Sequence, residues 1–241
     1  MATTTKTRKT TARKTTAAKT AKADKPEKPS KGTSKVGSIV DIEIPALQLE
    51  TIKITLVGQS PLIMHKFSEK SKKMIADKQQ GKAKDKRKAK DPKAEFEAAI
   101  YYLGGKKKNA RKHRYGFPAS AFKQCAVSAA RYVDGVKMTY LKGAFHILGS
   151  DVDPSLVEIL VKKAPQMRED TVRIGGFGAK VADLRYRPEF IDWKAELRIQ
   201  YNVAAITPQQ IAHLLNVGGF SIGVGDWRPE KEGVFGRFNV A

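Results

Sequence analysis

Two stretches of this sequence hold nearly all of its net charge and few of its large apolar side chains, which limits where a core can form. Residues 1–35 carry 11 basic and 2 acidic side chains, and residues 66–114 carry 18 and 6. The rest of the chain carries 17 and 16, so +21 of the net +22 lies in these two blocks. No large apolar side chain stands between Met1 and Val36. A segment built of Thr, Lys, Ala, Arg, Pro and Ser has no apolar surface to offset chain entropy, so residues 1–38 read as a disordered basic arm. In the second block Lys82–Lys93 reads KAKDKRKAKDPK, followed by the more apolar Ala94–Leu103, which has the makings of a short helix. The block reads either as a solvated loop or as a mobile basic flap, and its density of charge favours the flap.

The ordered part is therefore expected over 39–241, as one domain carrying a basic insertion at 66–114. A chain of 241 residues has ample length for a core without disulfide staples. Its single cysteine, Cys125, cannot form an internal disulfide, and one Cys with four scattered His makes no zinc-type cluster. A reducing, cytoplasmic setting with no metal and no cofactor is the expectation. No apolar run reaches the roughly 18 residues of a membrane span, and the N-terminus lacks a signal peptide's apolar centre. A pI near 10 directs attention to anionic partners, and so to nucleic acid.

The elements follow from periodicity. Thr51–Val57 alternates like a strand and ends at Gly58. From Tyr115 to Arg131 small and apolar positions recur at helical spacing, with Phe122, Cys125, Ala126, Ala129 and Ala130 on one narrow face. Strands are expected at Ala144–Leu148, Leu156–Val161, Val181–Tyr186 and Ala195–Tyr201. A second helix is signalled by Thr207 as N-cap, Pro208 at the first helical position and Gln210 completing a capping box, with Gly218-Gly219 as its stop. A last strand is expected over Val234–Val240. The order predicts an α+β domain, a ferredoxin-like, RRM-type βαββαβ core with large insertions, one a hairpin at 150–190.

Three segments carry a resemblance: Gly58-Gln59-Ser60-Pro61-Leu62 closing the first strand, Phe117-Pro118-Ala119-Ser120-Ala121-Phe122-Lys123 leading into the helix that ends at Arg131, and the glycine-rich run from Gly218-Gly219 through Gly225 to Gly236. Together they resemble the RAMP superfamily, in particular the backbone subunit that polymerises along CRISPR guide RNA. The chain is also similar in character to compact proteins encoded by bacteriophages. It departs from the family pattern at Ala119, where a glycine is usual, and at Asp226-Trp227-Arg228-Pro229. The resemblance implies single-stranded nucleic-acid binding, head-to-tail assembly, and a thumb-like hairpin over Gln166–Tyr186 that wedges between nucleotides.

Candidate contacts divide by chemistry. Gly223 and Gly225 would let backbone amides approach phosphates, and Trp227 beside Arg228 offers a stacking face next to a cation. Tight turns for the glycines and a core position for Trp227 are the competing readings. Lys123 and Arg131 on the helix would meet phosphates. Arg168, Arg173 and Arg185 flank Gly175-Gly176-Phe177-Gly178, where Phe177 or Met167 would supply the wedge. Single-stranded RNA or DNA and further copies of the chain are the expected partners, with no membrane and no catalysis. Three rivals remain: a metal-independent ribonuclease using His65, an interaction protein that joins or mimics a CRISPR-type backbone, and a condenser acting through its basic blocks alone.

The electrostatic reading predicts a salt effect. If roughly six phosphates are neutralised, affinity for a labelled single strand falls about three decades between 50 and 200 mM salt. Kd measured across that range checks it, and a slope near zero rejects it.

Overall fold

The computed structural model describes residues 46–82, 89–105, 113–174 and 181–241. The basic arm 1–38, residues 83–88 of the Lys-rich run and the hairpin tip with Phe177 lie outside the described residues.

Strand β1 (Leu49–Gly58) turns Ile54 and Leu56 inward and leaves Thr51, Lys53 and Thr55 exposed, as its alternation demands. It runs antiparallel between β8 (Lys194–Asn202) and β9 (Phe238–Val240). On the far side of β8 lie β4 (Phe145–Leu148) and β5 (Leu156–Leu160), and β5 in turn pairs with β3 (Tyr115–Pro118). The strand order β9-β1-β8-β4, with helix α3 (Ala119–Ser128) between β1 and β4 and α5 (Pro208–Ser221) between β8 and β9, is a ferredoxin-like core. The fold is α+β, with antiparallel pairing throughout.

Helix α3 buries the face expected of it, Phe122, Cys125 and Ala126, continued by Ala129 and Ala130 in a short 3-10 turn. Its first four expected residues, Tyr115–Pro118, form strand β3 instead, because the residue before a proline is driven to extended backbone. Helix α5 starts as its sequence dictates: Gln210 N–H donates to Thr207 Oγ1, and Thr207 N–H donates to Gln210 Oε1.

Its end corrects the sequence reading. Gly218 and Gly219 do not stop the helix, which runs through both to Ser221. A Cβ on Gly218 would lie 3.0 Å from the Cys125 carbonyl oxygen and Sγ, and one on Gly219 would overlap the Phe238 carbonyl. The glycines are there for close approach of α5 to α3 and to β9. The last strand is also shorter than expected: Val234–Arg237 is loop, with Gly236 at φ 66°.

A second, three-stranded sheet is built from β2 (Leu62–Ile63), β7 (Val181–Phe190) and β6 (Gln166–Ile174). The hairpin is therefore 166–190, while β5, also within 150–190, belongs to the main sheet. The basic insertion holds two helices. Helix α1 (Glu69–Gln79) buries no residue, whereas α2 (Pro92–Ala98), capped by Asp91, packs on β7 and leads into buried Ala99, Ile100 and Leu103. Its apolar stretch is thus core, and only part of the insertion is exposed.

Glycine spacing gives a paired prediction. Gly219→Ala should lower stability by about 1–3 kcal/mol through overpacking, despite alanine's better helix propensity. Gly143→Ala in α4 (Met138–Ala144), where a Cβ meets nothing within 4 Å, should be neutral or stabilising by up to about 1 kcal/mol. Denaturant melts of both variants make the comparison.

Candidate nucleic-acid interface

The outward face of the main sheet is polar. Register places Gln200 between Thr51 and His146, Arg198 between Lys53 and Leu148, and Glu196 beside Thr55. No Phe, Tyr or Trp stands on that face among the described residues, so it offers no stacking platform of the kind RRM sheets use. Aromatic and basic groups meet instead at the glycine-rich loop between α5 and β9.

That loop is held against the chain by its own backbone. Val224 N–H donates to Gly236 O at 2.9 Å and Asp226 N–H to Ile63 O at 3.0 Å, while Gly236 N–H donates to Pro61 O at 2.8 Å. Gly223 and Gly225 take φ 68° and 83°, and a Cβ on Gly225 would meet Ile63 O at 2.5 Å. These glycines are required by turn geometry and packing. Trp193, not Trp227, is the core tryptophan: it is fully buried, and its Nε1–H donates to Ser60 O. Trp227 is 42% exposed and takes φ 55°, a left-handed conformation rare for a bulky residue.

Beneath the loop runs a chain of charges. His65 Nδ1 lies 3.3 Å from Asp226 Oδ2, which lies 3.3 Å from Arg187 Nε; Arg187 reaches Asp170 at 3.5 Å, and Asp170 accepts from Arg168 Nε at 2.8 Å. Arg168 and Arg187 face each other across β6 and β7. Asp170 between them removes the repulsion that such a like-charged pair would cause. Arg168 also lies over the Phe235 ring, 4.6 Å from its centroid, so the hairpin grips the loop twice. Burial acts to raise the Asp226 carboxyl, but the His65 hydrogen bond and the Arg187 and Arg228 charges outweigh it and hold the group below the ordinary carboxylate value. Nearby, Lys66 sits 5.7 Å from the Tyr101 ring centroid.

On the other side of the loop, a crevice of about 90 Å³ separates it from α3. Arg228 Nε and Nη2 donate to Glu230 Oε2 at 3.1 and 2.7 Å, and Arg131 Nη2 donates to Glu230 Oε1 at 3.3 Å. The Arg228 hydrogen bond is the chief cause that holds the Glu230 carboxyl below its ordinary value. Cys125 also lines the crevice, and burial pushes its thiol up to about 12, which removes thiolate chemistry.

Of the expected contacts, the fold brings Arg131, Gly223, Gly225, Trp227 and Arg228 together, and Arg168 reaches the same loop through Phe235. Lys123 is elsewhere: its ammonium donates to Lys142 O at 2.8 Å and lies 3.1 Å from His146 Nδ1, beside a separate cavity of about 270 Å³, and burial lowers its pKa. Arg185 pairs with Asp183 at 3.8 Å and Arg173 is exposed on the opposite face of the hairpin. Phe177 lies outside the described residues. Asp226, Glu230, Arg187 and Tyr101 were missed. Only the unusual Asp-Trp-Arg-Pro run hinted at the first, and Glu230 follows it by one residue.

No family model and no curated protein matches this chain. Among solved structures, the crystal structure of Cmr6 from Pyrococcus furiosus aligns at 12% identity over 81% of this chain and 100% of that one, with a TM-score of 0.39. Such a superposition leaves the fold assignment to the strand order itself. Among the described residues, no group of three or more His, Cys, Asp or Glu is placed to hold a metal, and no helix is long and apolar enough to cross a membrane.

The Asp226 network predicts an acid-side stability loss. A carboxyl depressed on folding stabilises above its unfolded value near 3.8 and loses that contribution as pH falls through the folded value. Asp226→Asn should cost about 1–3 kcal/mol at neutral pH, since it takes the counter-charge from the buried Arg187 guanidinium, whose Nε and Nη1 have no hydrogen-bond partner. It should also flatten the dependence of stability on pH below about 4, which urea melts at stepped pH would reveal.

Proposed function

We propose that this protein binds single-stranded nucleic acid, RNA or single-stranded DNA, through the glycine-rich loop, and assembles head to tail along the strand. The observation that carries the reading is Trp227: a large aromatic ring left 42% exposed, in a strained left-handed backbone, beside Arg228. Strain of this kind persists where the surroundings impose it, and here it leaves an indole exposed one residue before an arginine, the two side-chain types that hold single strands. From the insertion, Lys66 holds its ammonium 5.7 Å from the Tyr101 ring centroid, one residue on from the His65 that pairs with Asp226 of the loop. The exposed Phe67, Met74 and Ile75 on and before α1 offer a neighbouring copy a contact surface. The basic arm and the Lys-rich run add non-specific attraction to the polymer.

The reading is of a binding protein and not an enzyme. One observation favours the ribonuclease alternative: Asp226 orients the half-buried His65 imidazole as a second residue orients a general base. The two readings separate in one experiment. The chain has two tryptophans, and Trp193 is buried, so fluorescence quenching by an added single strand reports on Trp227. Trp227→Ala should weaken binding by about 5- to 100-fold, the worth of one base stack. His65→Ala should leave binding intact and the RNA uncut in both proteins. Cleavage by the wild type but not by His65→Ala would establish the enzyme instead. Nuclease-protected fragments in multiples of one length would establish the filament.

A further inference from the structure

We infer that Arg131 and Arg228 form a phosphate cradle that the Glu230 carboxylate occupies in the free protein. The inference rests on the nucleic-acid reading above and specifies where the polymer's phosphodiester sits.

Two guanidinium groups 97 residues apart in sequence converge on one carboxylate. Arg228 reaches it through Nε and Nη2, and Arg131 through Nη2, so both oxygens are taken. Neither arginine depends on Glu230 alone for its position. Arg228 Nη1 donates to Gly225 O at 3.2 Å, and Arg131 Nη2 also contacts Ser128 Oγ at 3.4 Å. Two cations on one anion leave a net charge of +1. A phosphodiester presents two oxygens and one negative charge, the same pattern that a guanidinium fork recognises in a carboxylate.

The surroundings suit exchange. Glu230 stands on the short 3-10 turn Pro229–Lys231, whose backbone is tied down by Glu230 N–H to Ile222 O at 3.2 Å and Lys231 N–H to Arg228 O at 2.8 Å. Release of the carboxylate therefore needs only a rotation of the side chain, with no unfolding of the turn. Gly223 and Gly225 put no side chain over the crevice beside the cradle. Trp227 is one residue from Arg228, so a base stacked on the indole carries its own phosphate close to the two arginines. The carboxylate keeps the cradle formed, and its cations paired, until a strand displaces it.

Exchange predicts that removing the internal ligand strengthens binding. With the full-length protein and a labelled oligothymidylate of about 15 nucleotides, Glu230→Gln should tighten Kd by about fivefold, the upper range for an exposed ion pair. Glu232→Gln removes the same charge from an exposed acid two residues on, and should change Kd by less than about twofold under physiological salt screening. Adding Arg131→Ala or Arg228→Ala to Glu230→Gln should abolish the gain. Equal tightening by Glu230→Gln and Glu232→Gln would reduce the effect to net charge, and weaker binding by Glu230→Gln would make the pair structural; either overturns the cradle. A second measurement separates this proposal from the reading it rests on: inorganic pyrophosphate titrated onto 15N-labelled protein, followed at the Arg228 Nε–Hε resonance. A shift that saturates earlier in Glu230→Gln than in the wild type, with no oligonucleotide binding, keeps the cradle and rejects nucleic acid. An unmoved Arg228 resonance with both probes rejects the cradle.

Discussion

Close contact between α5 and its two neighbours is the constraint from which the rest follows. Gly218 lets the helix backbone approach Cys125 of α3, and Gly219 lets it approach Phe238 of β9. With α5 this near, the chain leaving it must turn at once, and it does so through left-handed Gly223 and Gly225 along the flank of α3. The loop is therefore placed by backbone packing before any of its polar side chains make a contact. Its crevice, its exposed indole and its arginine are consequences of where the helix ends.

Charge then finishes what packing begins. The hairpin presents Arg168 and Arg187 opposite each other, an arrangement that is tolerated because Asp170 lies between them and Asp226 takes the second face of Arg187. The same Asp226 reaches His65 at the exit of β2. Three parts of the chain distant in sequence, the β2 exit, the hairpin and the glycine-rich loop, are thus joined through one carboxylate. Breaking such a network strands a buried charge, which is why it holds a loop in a backbone conformation that an isolated peptide would leave.

Aromatic and basic side chains gather at an edge of this scaffold and not on its sheet face. Among the described residues the ferredoxin-like core turns a polar surface without aromatic rings outward, and the groups suited to stacking and to phosphate lie around the loop at its side. Lys123, expected to join them, is drawn away because its place on the second turn of α3 points its ammonium at Lys142 O and His146. Arg131, in the 3-10 turn that follows α3, comes round to the loop.

The amino-acid sequence determined what depends on neighbours a few residues away. Alternation in Thr51–Val57, the helical face from Phe122 to Ala130 and the Thr207–Gln210 capping box are local, and each formed as its residues dictate. From these pieces in order, the ferredoxin-like core was legible. What depends on partners far along the chain was not. A Gly-Gly pair reads locally as a helix stop, yet here its role is set by Cys125 and Phe238. Arg131 and Arg228 read as free cations, yet Glu230, 99 positions from Arg131, neutralises one charge between them. Local rules act through backbone torsions and short hydrogen bonds, which a linear pattern records. Close approach and charge pairing across a fold are decided only when the tertiary structure brings the groups within reach.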